Sequence, residues 1–150
     1  MTVTDFDTKV AIVVRDDLAA WQRLNVTAFL TSGVTAAAGP DAIGEQYRDA
    51  DGATYLPMLR QPVLVFEASG AKLATVARRA RERETPFALY TAELFTTGHD
   101  EANRAAVAAV TTDELDLVGI ALRAPHKTAD AVLQDIKRHP CRRTRALRAR

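Results

Sequence analysis

Lys9 to Leu30 reads KVAIVVRDDLAAWQRLNVTAFL. Its run Val10-Ala11-Ile12-Val13-Val14 is apolar at every position and rich in β-branched side chains. That is the composition of a strand covered on both faces, as in a parallel or mixed sheet. The run stops abruptly at Arg15-Asp16-Asp17, and a helix-like segment carrying Trp21, Asn25 and Phe29 follows almost at once. In open α/β sheets the end of such a strand and the helix behind it are where ligands tend to bind. The stretch therefore predicts a buried strand, a helix, and a rim between them bearing charge and an amide.

The pattern continues outward from there. The helix is predicted over about 19–37, with Asp17 read as the residue that caps it. Its stripe Asn25, Ala28, Ser32, Thr35 is small and polar at helical spacing, while Trp21, Leu24, Phe29, Leu30 and Val34 supply bulk on the other sides. Gly33 permits close backbone approach, and Gly39-Pro40 ends the helix. In YRDADGATYL, Asp49-Ala50-Asp51-Gly52 lies between Tyr47 and Thr54-Tyr55, which is a hairpin signature. The Asp-x-Asp-Gly quartet lacks the spaced ligands and terminal Glu of a calcium loop. Pro62 to Glu67 reads as a second buried strand, and Ser69-Gly70 opens a helix to about 83. That helix turns Leu73, Val76, Ala77 and Ala80 inward and its arginines outward. Pro86 to Thr91 is the third strand, followed by a loop with Glu93, Thr96, Thr97 and His99 and an Ala-rich helix over about 100–110. Asp116 to Arg123 is the fourth strand. A final helix over 127–138 buries Ala129, Val132, Leu133 and Ile136 at i, i+3, i+4, i+7. Such alternation predicts one α/β domain over residues 1–140, a single sheet with helices on both faces and a small β-hairpin.

Composition bounds the rest. A chain of 150 residues is long enough for a real core without disulfides or metals. No segment approaches the roughly 18 continuous apolar residues of a membrane span. The N-terminus, MTVTDFDTK, places acids where a secretory signal needs bases and an apolar core, so a cytoplasmic address is expected. Lys and Arg number 20 against 19 Asp and Glu, a formal charge of +1. Seven of those cations and none of the acids fall in residues 137–150, leaving the remainder at about −6. The body is acidic, which argues against a nucleic-acid-binding face. The basic tail, residues 141–150, is expected to be disordered. It reads either as a solvated extension or as a non-specific, salt-sensitive polyanion contact. The lone Cys141 within it reads as incidental.

Signatures of specific chemistry are absent: there is no dinucleotide fingerprint, no phosphate-binding loop and no nucleophile elbow. His99, His126 and His139 are scattered, so no metal site and no cofactor is expected. What remains is a cluster inferred from topology. Arg15 and Asp17 leave the end of the first strand, the Thr91–His99 segment leaves the third, and Asn25 and Ser32 lie on the first helix. If those strands run parallel and adjacent, Glu93 or His99 could act as a base toward water. Asn25, Thr96 and Thr97 could then orient a carbonyl or phosphate. The structural alternative has Thr97 capping the following helix, His99 exposed in the loop, and Asn25 satisfying backbone groups internally.

The segments KVAIVVRDDL, LNVTAFLTSG, QPVLVFEAS, PFALYTAELFTTG and LDLVGIALRAP, with the hairpin YRDADG and closing Arg138-His139-Pro140, closely resemble the bacterial family known as domain of unknown function 2000. The match spans about residues 8–140. The family's fold resembles that of the type II peptidyl-tRNA hydrolases, which implies a mixed four-stranded sheet between helix layers and a homodimer. Those enzymes place a catalytic lysine where this chain has Asn25, and an aspartate where it has Ala92, with Glu93 next. Their following threonine matches Thr96. A neutral amide does not replace an ammonium at a developing oxyanion. The expected function is thus small-molecule or partner binding at the rim formed by strands one and three. The alternative is a divergent hydrolase of a peptidyl-tRNA-like or other ester. No membrane partner is expected, and nucleic acid only through the tail.

Overall fold

The computed structural model describes residues 6–138. The expected basic tail, with His139, Pro140 and Cys141, lies outside the described residues. Strand β1 (Thr8–Arg15) sits in the middle of the main sheet. It pairs in parallel with β4 (Val63–Ala68) and antiparallel with β6 (Leu117–Pro125). Beyond β6 lies β5 (Phe87–Thr91), and beyond β4 the short β7 (Lys137–Arg138), giving the order β5-β6-β1-β4-β7. A separate hairpin is formed by β2 (Tyr47–Arg48) and β3 (Thr54–Tyr55).

The period-2 rule divides the central strand between two cores. Ala11 and Val13 face α2 (Gly70–Glu82) and α4 (His126–Val132), meeting Leu73, Val76, Ala77, Ala129 and Val132. Val10, Ile12 and Val14 face α1 (Ala20–Ala38), meeting Val26, Leu30 and Val34. All five of these β1 residues are almost wholly buried, as an apolar run in a three-layer domain must be. Two helices cover the first face and one covers the second. Helix α3 (Asp100–Ala108) stands apart and buries none of its residues.

α1 comes close to the sheet because Gly119 lies beneath it. A Cβ there would sit 2.6 Å from Val26 Cγ1 and 2.9 Å from Leu30 Cδ1. Gly33 performs the same service on the helix, where a Cβ would meet that of Ala88 at 3.1 Å. α1 ends at Gly39, whose φ of 80° takes the chain out of the helix while its N–H still reaches the Thr35 carbonyl.

Two expectations need correction. The sheet has five strands, not four, because the last helix stops at Val132 rather than running to 138. Asp135 adopts φ 65°, a left-handed conformation that Asp tolerates better than most residues. The chain turns there, and Lys137 and Arg138 pair with Glu67 and Phe66. Ile136 still packs on the expected core, but from the turn. The second correction concerns Asp17, which does not cap α1. The cap position is Ala19, whose N–H donates to the Gln22 side chain at 2.9 Å. With the buried Leu18 intervening, Asp17 lies too far upstream and pairs with Arg15 instead.

Candidate binding cleft beside the edge strand

β1 and β5 are parallel, as the rim required, but not adjacent: β6 runs between them. Their exits nevertheless lie at the same end, since Val14 and Tyr90 both register opposite Gly119. Two interstrand spacings put those exits roughly 10 Å apart.

The exit of β1 is occupied by structural ion pairs. Arg15 donates to Asp17 at 2.6 Å and to Asp116 at 2.9 Å, tying the end of β1 to the start of β6. The hydrogen bond it donates to Asp17 leads the influences that raise the pKa of its guanidinium above the ordinary arginine value. Arg23 performs a similar task that no sequence pattern marks. It donates to the Leu18 and Asp16 carbonyls at 3.0 and 3.2 Å and to Glu67 at 2.7 Å, locking the β1–α1 turn onto β4.

The exit of β5 is organised by its own loop. The Thr96 hydroxyl donates to the Glu93 carbonyl at 2.9 Å, and Glu93 itself is exposed. Thr97 lies within hydrogen-bond reach of the Leu94 carbonyl and the Asn103 side chain. His99, not Thr97, is the cap of α3, its Nδ1 accepting from the Ala102 N–H at 3.3 Å. Ser32 is exposed on α1 and donates to the Phe29 carbonyl. The predicted side chains therefore divide into separate groups: Arg15 with Asp17, the loop set Glu93, Thr96, Thr97 and His99, and Asn25 and Ser32 on α1.

Asn25 does connect to the third strand, through a residue that was not singled out. The Tyr90 hydroxyl donates to Asn25 Oδ1 at 3.4 Å. Tyr90 is buried, which pushes its phenol upward in pKa. Its ring lies 5.1 Å from Phe95 and 6.0 Å from Phe29, and Trp21 meets Phe95 edge-on at 5.7 Å. An aromatic cluster thus fills the space between Asn25 and the β5 exit. Next to it opens a cleft of about 610 Å³, walled by Phe29 and Gly33 of α1, Ala88 and Tyr90 of β5, and Val107 of α3. Asp100, Asn103 and Arg104 supply its polar groups, with Arg104 already paired to Asp100. Tyr90 and Phe95 lie far from Phe29 in the sequence, so no local pattern announced this cluster. The cleft itself depends on how α3 docks, which local patterns do not encode. Among the described residues no three His, Cys, Asp or Glu side chains converge as a metal ion would need, and no helix is long and apolar enough to cross a membrane.

Fold and cleft together define a class: a three-layer α/β domain with one partly open helical layer and an apolar recess beside its edge strand. Residues 8–140 match the family described as Protein of unknown function (DUF2000), and the chain belongs to that family. A solved structure of a protein of unknown function, Atu0240 from Agrobacterium tumefaciens str. C58, is 44% identical to it. The similarity covers 91% of this chain and 100% of that one, with a TM-score of 0.87. Comparison with curated proteins finds no match.

Proposed function

We propose that this protein is a binding domain that takes a small apolar or amphipathic molecule into the cleft between α1, β5 and α3. The observation that carries the reading is an apolar hollow of about 610 Å³ beneath a helix that buries none of its own residues. Small-molecule sites typically measure about 300–1,000 Å³ and are mostly apolar, with a few polar groups that fix orientation. Here Asn103 and the Arg104–Asp100 pair stand at one side and would meet the polar end of a ligand.

The relation to type II peptidyl-tRNA hydrolases is part of the same proposal. It supports the location, the exit of β5 beside the first helix, more than the reaction. Asn25 stands where those enzymes have lysine, and its Oδ1 accepts from Tyr90. Thr96 donates its hydroxyl to its own loop. These commitments favour binding over ester hydrolysis.

The test uses anilinonaphthalene sulfonate as the probe, titrated against the wild type and Val107→Trp. The indole should fill the hollow from the α3 side, abolishing saturable uptake while leaving the melting temperature at or above that of the wild type. Equal uptake by both proteins, or none by the wild type, overturns the reading.

A further inference from the structure

The outer side of α1 and the excursion that follows it carry apolar surface that this chain does not cover. α1 reads AWQRLNVTAFLTSGVTAAA and carries large apolar residues, Trp21 and Leu24, outside the stripe that faces its own core. An amphipathic surface helix keeps such residues on its covered face. The chain covers one side, with Val26, Leu30 and Val34. Trp21, Leu24 and Phe29 remain more than half exposed, Leu24 at 73%. Beside Leu24 a hollow of about 700 Å³ opens between α1 and β4, lined by Thr27, Ala28, Val63 and Val65.

The second uncovered feature is an arm. Every residue from 45 to 56 is exposed, yet the hairpin within it is tightly built. Asp49 accepts from the Asp51 and Ala53 N–H groups, both at 3.0 Å, and from the Tyr55 hydroxyl at 2.7 Å. Tyr47 and Tyr55 pair across the two strands. They, with Leu56 and Met58, are more than half exposed, Leu56 at 82%. A two-stranded hairpin in water is marginal unless its face packs on something.

These two features lie at opposite ends of α1. Trp21 and Leu24 are in its first turns, and the arm leaves after its last, roughly 20 Å further along at 1.5 Å per residue. Within one chain the arm is exposed throughout residues 45–56 and leaves the Trp21–Leu24 surface uncovered. A two-fold axis crossing α1 near its middle brings the two features together, placing each arm on the partner's Trp21–Leu24 surface, the reciprocal geometry of an isologous dimer. The surface available also suffices. Leaving out Phe29, which walls the cleft, the exposed parts of the other six side chains come to on the order of 800 Å², matching the roughly 800 Å² per partner of a standard interface.

We infer that the arm of residues 45–58 docks on the outer face of α1 in a second copy of this chain, forming a two-fold homodimer through two identical contacts. The inference is independent of the cleft, which lies on the β5 side of α1.

Sedimentation velocity tests it. The wild type should run at twice the 16.3 kDa chain mass. Leu24→Asp and Leu56→Asp should each weaken the dimer by roughly thirtyfold or more, the loss expected at a central anchor. Both positions are exposed within one chain, so far-ultraviolet circular dichroism should be unchanged, and Met58→Asp provides a second arm variant. Mixing Leu24→Asp with Leu56→Asp should restore part of the dimer, because one arm and one helix face in the mixed pair are intact. The single tryptophan, Trp21, should shift to the red as the wild type is diluted. A monomeric wild type at high concentration, which would leave the surface to some other partner, overturns the inference. So does a dimer that survives both arm substitutions.

Discussion

Gly119 is where the packing of the α1 layer is decided by a single hydrogen atom. An added methyl would press on Val26 and Leu30, both essentially buried, and would stand 3.3 Å from the Val13 carbonyl oxygen. Val26 is β-branched and held on both sides, so the helix has to shift instead. Gly119→Ala should cost about 1–3 kcal/mol, the usual range for overpacking a tight core, read from the midpoint of urea unfolding. This is also the scale at which sequence reading is least informed. Gly33 could be recognised as permitting close approach because it interrupts a helix, and it does approach Ala88. Gly119, within an apolar strand, carries no such contrast. Asp17 illustrates the opposite failure. Its type suits a cap, but the cap position falls two residues later, and Arg15 offered a charged partner at 2.6 Å.

At the level of elements, those with strong internal periodicity emerge where their patterns placed them. The inward face of α2, Leu73, Val76, Ala77 and Ala80, is fully buried. Its N-cap is Ser69, accepting from the Lys72 N–H at 3.3 Å. β1 and β4 are likewise the buried parallel pair that two apolar runs suggested. The last helix misled because the same spacing of Ala129, Val132, Leu133 and Ile136 also suits a short helix followed by a turn. Arg79 and Lys72 of α2 fasten that turn by donating to the Gln134 and Asp135 carbonyls at 2.9 and 3.4 Å. Such long-range clamps have no local signature. The β2–β3 hairpin, by contrast, is governed by one residue visible in the sequence. Tyr55 and the Ala53 and Asp51 N–H groups hold the Asp49 carboxyl below its ordinary value of 3.8. A carboxylate whose folded pKa is depressed contributes stability above its unfolded value and loses it as pH falls through the folded one. The hairpin should therefore keep its order at neutral pH and begin to lose it below about 4. Protection of the Asp51 and Ala53 amides, measured against the intrinsic exchange rate at each pH, should fall over that range. Asp49→Ala should show the lowered protection already at neutral pH and little further change on acidification. A pH-independent pattern in the wild type would assign the turn's order to Gly52, with φ 88°, rather than to the carboxylate.

For the whole molecule, the decisive fact is that both cores close within one chain while the surface outside α1 does not. Val10, Ile12 and Val14 meet α1, and Ala11 and Val13 meet α2 and α4, with none of these five side chains left for a partner to cover. Folding of a single copy is therefore self-sufficient, and association is an added equilibrium linked to it by mass action. The alternation of strands and helices made the α/β architecture readable at this scale. The apolar residues outside its core were legible only as bulk on other sides of a helix, because periodicity does not tell which chain covers a face. This arrangement leads to a prediction that separates folding from assembly. If the arm and α1 meet in a dimer, the wild-type melting temperature should rise with protein concentration, since only the folded chain associates. Leu56→Asp should melt at one temperature throughout the same dilution series, near the wild-type value at the lowest concentration. Its uptake of the cleft probe should also match the wild type within about twofold, because Leu24 and Phe29, five residues apart, lie roughly 140° apart around the helix. A variant that melts far below the dilute wild type would mean that the arm supports its own chain's core. Differential scanning fluorimetry over a hundredfold range of concentration distinguishes these outcomes, because a contact within one chain is insensitive to dilution and a contact between two is not.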